Sequence, residues 1–409
     1  MLKSVLKRAG SIGVGLAIFI WSPVALAVWT PPKGIPRPTF GIEETHLMYV
    51  GRTFDYAGTP APYGDAGNGP FSHYIDNTHA QATDIGNPFG TPAKPRLTIP
   101  VNLTPGSVVE LHGGPYNYIT PGQNEQVEFA TGQGTAGRPI FIRGFSRQCK
   151  TIFTRRLRII GSYFIVENLF FTAAGGLSIR APSDHIGVRY TELTGFDHIA
   201  YKSHYNLLPG GDKFVDFNSD IVYSNNYFHD NGYPAGTSAE LKNSFQITGN
   251  TRRIWIVDNR MENGTEDGIH IMLGTSSHEY FLPDGIYIGR NVIHHYTENA
   301  IDVKPSRNVI ISENIMYGYR PITIPPSDGA NGDGIVFNYE DGPPPGQVME
   351  NHYVIFNTFF DCEIGVRAEY DGYVYGNVFH DINQSAPGNF TGAVLVYLRG
   401  SAVYNPMYV

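Results

Sequence analysis

The sequence predicts an all-β protein, a single-stranded right-handed parallel β-helix of three parallel sheets wound through about 8–10 coils. Two observations carry that reading. The first is composition. Of 409 residues only 16% are charged, 13% are aromatic, and there are 47 Gly and 29 Pro. Many short strands separated by Gly, Asn, Asp and Pro turns need that mixture, whereas helices would draw more Ala, Leu, Glu and Lys. The second is an internal repeat: an apolar strand, an Asn, then another short apolar or aromatic strand.

The repeat reads Ile165-Val166-Glu167-Asn168-Leu169-Phe170, then Ile254-Trp255-Ile256-Val257-Asp258-Asn259 and Ile286-Tyr287-Ile288-Gly289-Arg290-Asn291. It returns at Val309-Ile310-Ile311-Ser312-Glu313-Asn314, Tyr353-Val354-Ile355-Phe356-Asn357 and Tyr373-Val374-Tyr375-Gly376-Asn377. Another copy ends at Asn226, and Thr191 stands where one coil lacks Asn. From Asn168 onward the spacings are 23, 35, 33, 32, 23, 43 and 20 residues. The short values give a bare coil, and the long ones add a surface loop at little entropic cost. One Asn per coil at a buried corner predicts a ladder in which each amide bonds the next coil. Around Asn291 the coil divides into strands Val292–Tyr296, Ala300–Lys304 and Asn308–Ser312. Stacked copies lie about 4.8 Å apart.

At the N-terminus Lys3, Lys7 and Arg8 precede an apolar run, Ile12 to Ile20, and then Ala25-Leu26-Ala27. That pattern predicts a signal peptide over 1–27 and export to a periplasmic or extracellular space. Residues 28–73 read as an N-terminal extension and 74–409 as the β-helix domain. No later segment has the length and apolarity of a membrane span, and a monomer is expected. The net charge of −8 argues against a nucleic-acid partner. Cys149 and Cys362, far apart along the repeat, read as small buried apolar residues rather than a disulfide or metal pair.

Tyr74-Ile75-Asp76, Gly90-Thr91-Pro92-Ala93-Lys94-Pro95 and Thr98-Ile99-Pro100 resemble the opening cap of pectate-lyase-like β-helix proteins. Gly106 to Leu111 with Gly113-Gly114-Pro115-Tyr116 resembles their first coil, and Gly137 to Gly144 their second. The resemblance runs from about Tyr74 to Asp381. It implies an acidic polysaccharide as partner and lyase, hydrolase or epimerase chemistry, without choosing among them.

One strand of each coil lies between variable turns. Its copies include Leu177–Arg180, Ile199–Lys202, Phe245–Thr248, Ile269–Met272, Ile301–Lys304, Ile335–Asn338 and Val366–Glu369. Alternation sends Arg180, Lys202, Gln246, His270, Asp302, Lys304, Asn338, Arg367 and Glu369 outward. Loop insertions flank the same strands, which predicts a walled groove for an extended polymer. Loop aromatics Tyr205, Tyr233, Tyr280, Phe281 and Tyr339 are candidates for stacking on sugar rings.

β-Elimination from a uronate needs a base for the proton α to the carboxylate, neutralisation of that carboxylate, and a proton for the leaving oxygen. The expected base is Lys304, with His270 and Asp302 as catalytic partners. Arg180, Lys202, Gln246, Asn338, Arg367 and Glu369 are expected to bind substrate. Asp267, Glu298 and Asp302, with Glu266 nearby, are candidate ligands for Ca²⁺. Lyases of the resembling fold use a lysine at a comparable strand end, but the arginine that alginate and chondroitin lyases set beside it is replaced here by Met272 and Asn338. A polygalacturonase-type aspartate pair is also missing. The leading expectation is an exported polysaccharide lyase. Its rivals are a non-catalytic glycan-binding or envelope β-helix, a glycoside hydrolase and a uronate epimerase.

Overall fold

The computed structural model describes residues 28–44, 71–118, 127–148, 150–172, 176–195, 201–202, 217–231, 243–273, 281–320, 332–339, 342–344, 346–383 and 391–396. The 1–27 leader, Cys149, and the loop aromatics Tyr205, Tyr233 and Tyr280 lie outside them. Thirty strands form three sheets of fourteen, nine and seven strands, with every strand pair parallel. Successive coils visit the sheets in fixed order, as in Thr251–Val257, Arg260–Glu262 and Ile269–Ile271. The chain is a parallel β-helix, and its crossovers take the right-handed sense that parallel connections adopt.

The core is built from columns of like residues. Ile186, Ile221, Ile254, Ile286 and Val309 register on successive strands of the large sheet, all essentially without exposure. Phe245, Ile269, Ile301, Ile335 and Val366 do the same in the seven-stranded sheet. Each fully buried side chain contributes roughly 1.5–3 kcal/mol. The segments resembling a cap and first coils are successive strands of the large sheet: His73–Asp76 pairs Val108–His112, which pairs Ile140–Gly144.

The asparagine ladder exists, shifted by one residue at its start. Asn226, Asn259, Asn291, Asn314, Asn357 and Asn377 form a chain in which each Nδ2 donates to the next Oδ1 at 2.9–3.0 Å. Thr191 joins through its backbone N–H to Asn226 Oδ1 at 3.0 Å. Asn168 is not a rung. It sits at the preceding corner position with φ 60°, in line with Tyr190, Asn225, Asp258, Arg290, Glu313 and Phe356, all left-handed. Asn suits that backbone for a local reason, its tolerance of positive φ.

His352 occupies the next place in the isoleucine column, pairing with Val309. Burial pushes its pKa down to about 3, and that of His73 down to about 4. Both rings are neutral in the folded protein but protonate near 6.5 when unfolded. Their contribution to stability is therefore present above pH 6.5 and is lost as pH falls towards 3–4. For His352 the loss is on the order of 4 kcal/mol if the ring must charge. Urea midpoints are expected to fall steadily below pH 6.5, and His352→Gln to flatten that slope. An unchanged slope in the variant contradicts the assignment.

Residues 28–44 run across the outer face of the large sheet. Ile35 packs on Val222, Trp255 and Val257, and Phe40 on Phe141 and Ile165. Trp29 Nε1 donates to Asp258 at 2.7 Å and Arg189 Nη1 to the Ile42 carbonyl at 2.8 Å. Gly41 and Gly187 meet backbone to backbone, and a Cβ on Gly187 would lie 2.6 Å from the Gly41 oxygen. Much of the large sheet's outer face is thereby occupied.

Candidate active site

The seven-stranded sheet carries the expected stripe. Lys202, Gln246, His270, Asp302, Val336, Arg367 and Leu395 register across it. Lys202 falls opposite Gln246, two places from the expected alignment, because Tyr201 rather than Ile199 pairs with Phe245. At the strand ends Met272, Lys304, Asn338 and Glu369 follow one another, each N–H donating to the preceding coil at 2.8–2.9 Å.

His270 and Asp302 come together as expected, with Nε2 3.7 Å from Oδ2 and both side chains nearly buried. Asn243 sets the ring's tautomer. Its Oδ1 accepts the Asp267 N–H at 3.1 Å, so its amide nitrogen is the end facing His270 Nδ1 at 3.2 Å. Nδ1 is then an acceptor and the ring proton sits on Nε2, directed at Asp302. Burial, with the charge of Lys304 as a smaller cause, pushes the His270 pKa down to about 3. The ring is a neutral hydrogen-bond donor. It holds neither an imidazolium proton to give nor an outward lone pair to act as base, which narrows its expected catalytic part to positioning.

Lys304 is half-buried at a pinned strand end. Its N–H donates to Ile271 O at 2.9 Å, and the buried Tyr370 hydroxyl donates to Val303 O at 2.9 Å. The acidic neighbours are crowded. Glu266, Asp267 and His270 place ligand atoms within 4.8 Å of one another. Asp267 Oδ1 accepts from Asn299 N at 3.2 Å and Nδ2 at 2.9 Å. Burial, then Glu298, Asp302 and Glu266, hold its carboxyl well above the usual range. A concentration of carboxylates of this kind has the chemistry of a divalent-cation site. Glu266, Asp267, Glu298 and Asp302 offer the oxygen ligands calcium takes, whereas His270 is turned to Asn243.

The expected binding residues divide. Gln246 Nε2 donates to Met272 Sδ at 2.9 Å. Arg367 Nε lies 3.0 Å from Asp333 Oδ2, and Glu369 is buried and accepts the Tyr339 N–H at 3.2 Å. Those two charges are engaged within the fold, a correction to their expected outward role: alternation fixes the side a residue leaves from, but not its partner. Asn338 is half-buried beside Lys304's strand. Arg180 lies with Arg156 and buried Arg158, whose pKa burial and Arg180 bring down to about 10. Of the loop aromatics, Phe281 is exposed and Tyr339 packs against the core.

Sequence reasoning missed Asn243, Asn299, Asp333 and the Arg156–Arg158 pair. Asn243, Asp267 and Asn299 start successive coils of this sheet and are linked by side-chain hydrogen bonds, with Asp333 next in register. Asp333 is pushed up to about 7 by burial, with Arg367 opposing.

No family model matches the chain, and no curated protein matches its sequence. Among solved structures, an alginate lyase from Paenibacillus sp. str. FPU-7 is similar at 17% identity and TM-score 0.45, covering 72% of this chain and 98% of that one. A GH136 lacto-N-biosidase from Eubacterium ramulus is similar at 12% identity and TM-score 0.46, covering 83% and 68%. The pectate lyase Pel9A is similar at 14% identity and TM-score 0.39, covering 81% and 78%. The fold is a parallel β-helix of three sheets. In this β-helix the strand-end column with Lys304 and the His270–Asp302 pair share one sheet face, and the adjoining segments 203–216, 232–242, 274–280 and 321–331 lie outside the described residues.

Proposed function

We propose that this chain is an exported polysaccharide lyase that cleaves a uronate-containing glycan by β-elimination on the seven-stranded sheet. One observation carries the reading: Lys304 stands at a rigid strand end beside a neutral, proton-locked His270 and the Asp302 carboxylate. Lys304, as the free amine, takes the proton α to the uronate carboxylate. The charge that develops spreads onto the uronate carboxylate, and the buried His270 Nε2–H acts indirectly, by facing Asp302. The C4–O bond breaks and the leaving oxygen takes up a proton, giving an unsaturated uronate end and a shortened chain. Calcium bound by Glu266, Asp267, Glu298 and Asp302 would supply neutralisation of the substrate carboxylate. The arginines at the N-terminal end suit distal uronates.

The crowded carboxylates favour one rival, hydrolysis by a carboxylic acid and a carboxylate. Burial and its acidic neighbours raise the Asp267 carboxyl, but at 1% exposure it lies beneath the surface and not against a glycosidic oxygen. The test is the product. Incubation with alginate, polygalacturonate and glycosaminoglycans is expected to raise the ultraviolet absorbance of unsaturated uronate with one of them. New reducing ends without that absorbance indicate hydrolysis, and binding without shortening indicates a non-catalytic protein. Calcium is expected to raise the thermal midpoint of the protein and Asp267→Asn to abolish that rise. An unchanged midpoint removes the metal from the proposal.

A further inference from the structure

The large sheet carries a second groove, on a different face of the rod. Its floor is a column of outward residues, Trp255, Tyr287, Ile310, Tyr353 and Tyr373, in register on successive strands. At one end Trp255 lies under the N-terminal segment, its Nε1 donating to Pro36 O at 2.7 Å. Beyond it Tyr287, Ile310 and Tyr353 are half-buried, and Tyr373 is exposed and stacks on Tyr353 at 4.9 Å. Pro36 forms one wall. The other is a corner of left-handed residues, Arg253, Gly285, Asn308 and Asn351, with Arg252 and Asp284. The groove encloses about 620 Å³, within the ~300–1,000 Å³ typical of ligand pockets.

We infer that this groove binds an acidic oligosaccharide lengthwise along the rod, as a non-catalytic site separate from the cleft on the seven-stranded sheet. Tyr287 and Tyr353 stand two strand spacings apart, roughly 9.6 Å. That is close to the length of two sugar units in an extended chain, so alternate pyranose rings can lay their C–H faces on the two tyrosines. The rim supplies amides for hydroxyls. Asn351 Nδ2 donates to Asn308 Oδ1 at 2.9 Å, and Asn308 Nδ2 donates to Asp284 Oδ1 at 2.7 Å. This chain orients the exposed Asn351, whose carbonyl oxygen has no partner among the described residues.

The charge selects an acidic sugar. Arg253 is matched by Asp220 at 2.6–2.7 Å and Arg307 by Asp284 at 2.9 Å. Arg252 instead lies over the Phe217 ring at 3.7 Å, and no carboxylate is within ion-pair distance of it among the described residues. A uronate carboxylate would complete that site. An extended peptide finds no unpaired sheet edge beneath Tyr287, Ile310 and Tyr353, whose strands are bonded on both sides; only the strand of Tyr373, at the end of the groove, closes the sheet among the described residues.

The test measures binding stoichiometry, which turnover does not affect. In the full chain carrying Lys304→Ala to suppress cleavage, calorimetric titration with size-defined oligouronates from alginate and polygalacturonate is expected to show two classes of site. Adding Tyr287→Ala and Tyr353→Ala removes one class, with affinity there weakened by about tenfold or more. Tyr353→Phe keeps it, since the ring remains, and Arg252→Ala weakens the acidic probe towards the level of a neutral cello-oligosaccharide. Unchanged stoichiometry in the double tyrosine variant overturns the inference, including the case of a single class of site in the parent that the tyrosine substitutions leave in place. Two classes in a protein that shortens no glycan keep this inference and sink the proposed lyase activity, so the two fail separately.

Discussion

Replacing Lys304 with Ala lowers the rate of unsaturated-product formation by about a hundred- to ten-thousand-fold, the range lost with a positioned general base. The substitution keeps the strand end, which backbone bonds and Tyr370 hold in place. Its urea midpoint should match that of the parent within about 0.5 kcal/mol. Lys304→Arg does not restore the rate, since a guanidinium stays charged at any working pH and cannot accept the proton. The parent's rate rises with pH as the amine loses its proton, and that limb disappears in the variant. His270→Gln gives a smaller loss that shows mainly in kcat, as the side chain keeps a donor but not the ring's fixed direction. A Lys304→Ala protein with full activity transfers the base elsewhere and removes the central assignment.

The parts of the molecule that follow from strict repetition were legible in the sequence. In-register parallel strands put residues of equal coil position side by side, so the pairing of His270 with Asp302 followed from aligning two strand copies. The Asn ladder followed for the same reason. Failures came where a local preference imitates a repeat, or where the partner is remote in sequence. Asn168 carries the right residue type one position early, since Asn serves equally as a left-handed corner and as a rung. Arg367 and Glu369 point as alternation requires, yet Asp333 and the Tyr339 backbone engage them. Nothing in the local pattern reveals that residues 28–44 fold back over Val222 and Trp255, about 200 positions away. Nor does it show that Asn243 locks the His270 tautomer across a coil. Sequence reasoning reached the platform and the identity of its central residues, while the protonation states depended on burial that only the assembled rod defines.

Asn291→Ala, at a rung in the middle of the rod, is expected to cost about 3–5 kcal/mol. Asn291 Oδ1 accepts from Asn259 N at 2.9 Å and from Asn259 Nδ2 at 3.0 Å. Its own Nδ2 donates to Ile256 O at 2.8 Å and to Asn314 Oδ1 at 2.9 Å. Alanine strands those donors and acceptors in a corner with no exposure. Each buried group left unmade costs roughly 1–3 kcal/mol, and partial relaxation keeps the sum below their total. Asn377 ends the described ladder and is only half-buried; it accepts from Asn357 N and Nδ2 at 2.8 and 3.0 Å and donates to Val354 O at 2.9 Å. Water can replace it, so Asn377→Ala should cost about 1 kcal/mol or less. Asn168→Ala should cost about 1–2 kcal/mol, mainly through the left-handed backbone with a weak amide bond to Gly144 O at 3.5 Å beside it, and Asn168→Gly should recover the backbone part, which no rung position would allow. Urea unfolding of the four variants separates the cases. Equal losses at Asn291 and Asn377 would mean that the ladder's strength does not come from burial, and the account of how one coil holds the next would have to be rebuilt on the apolar columns alone.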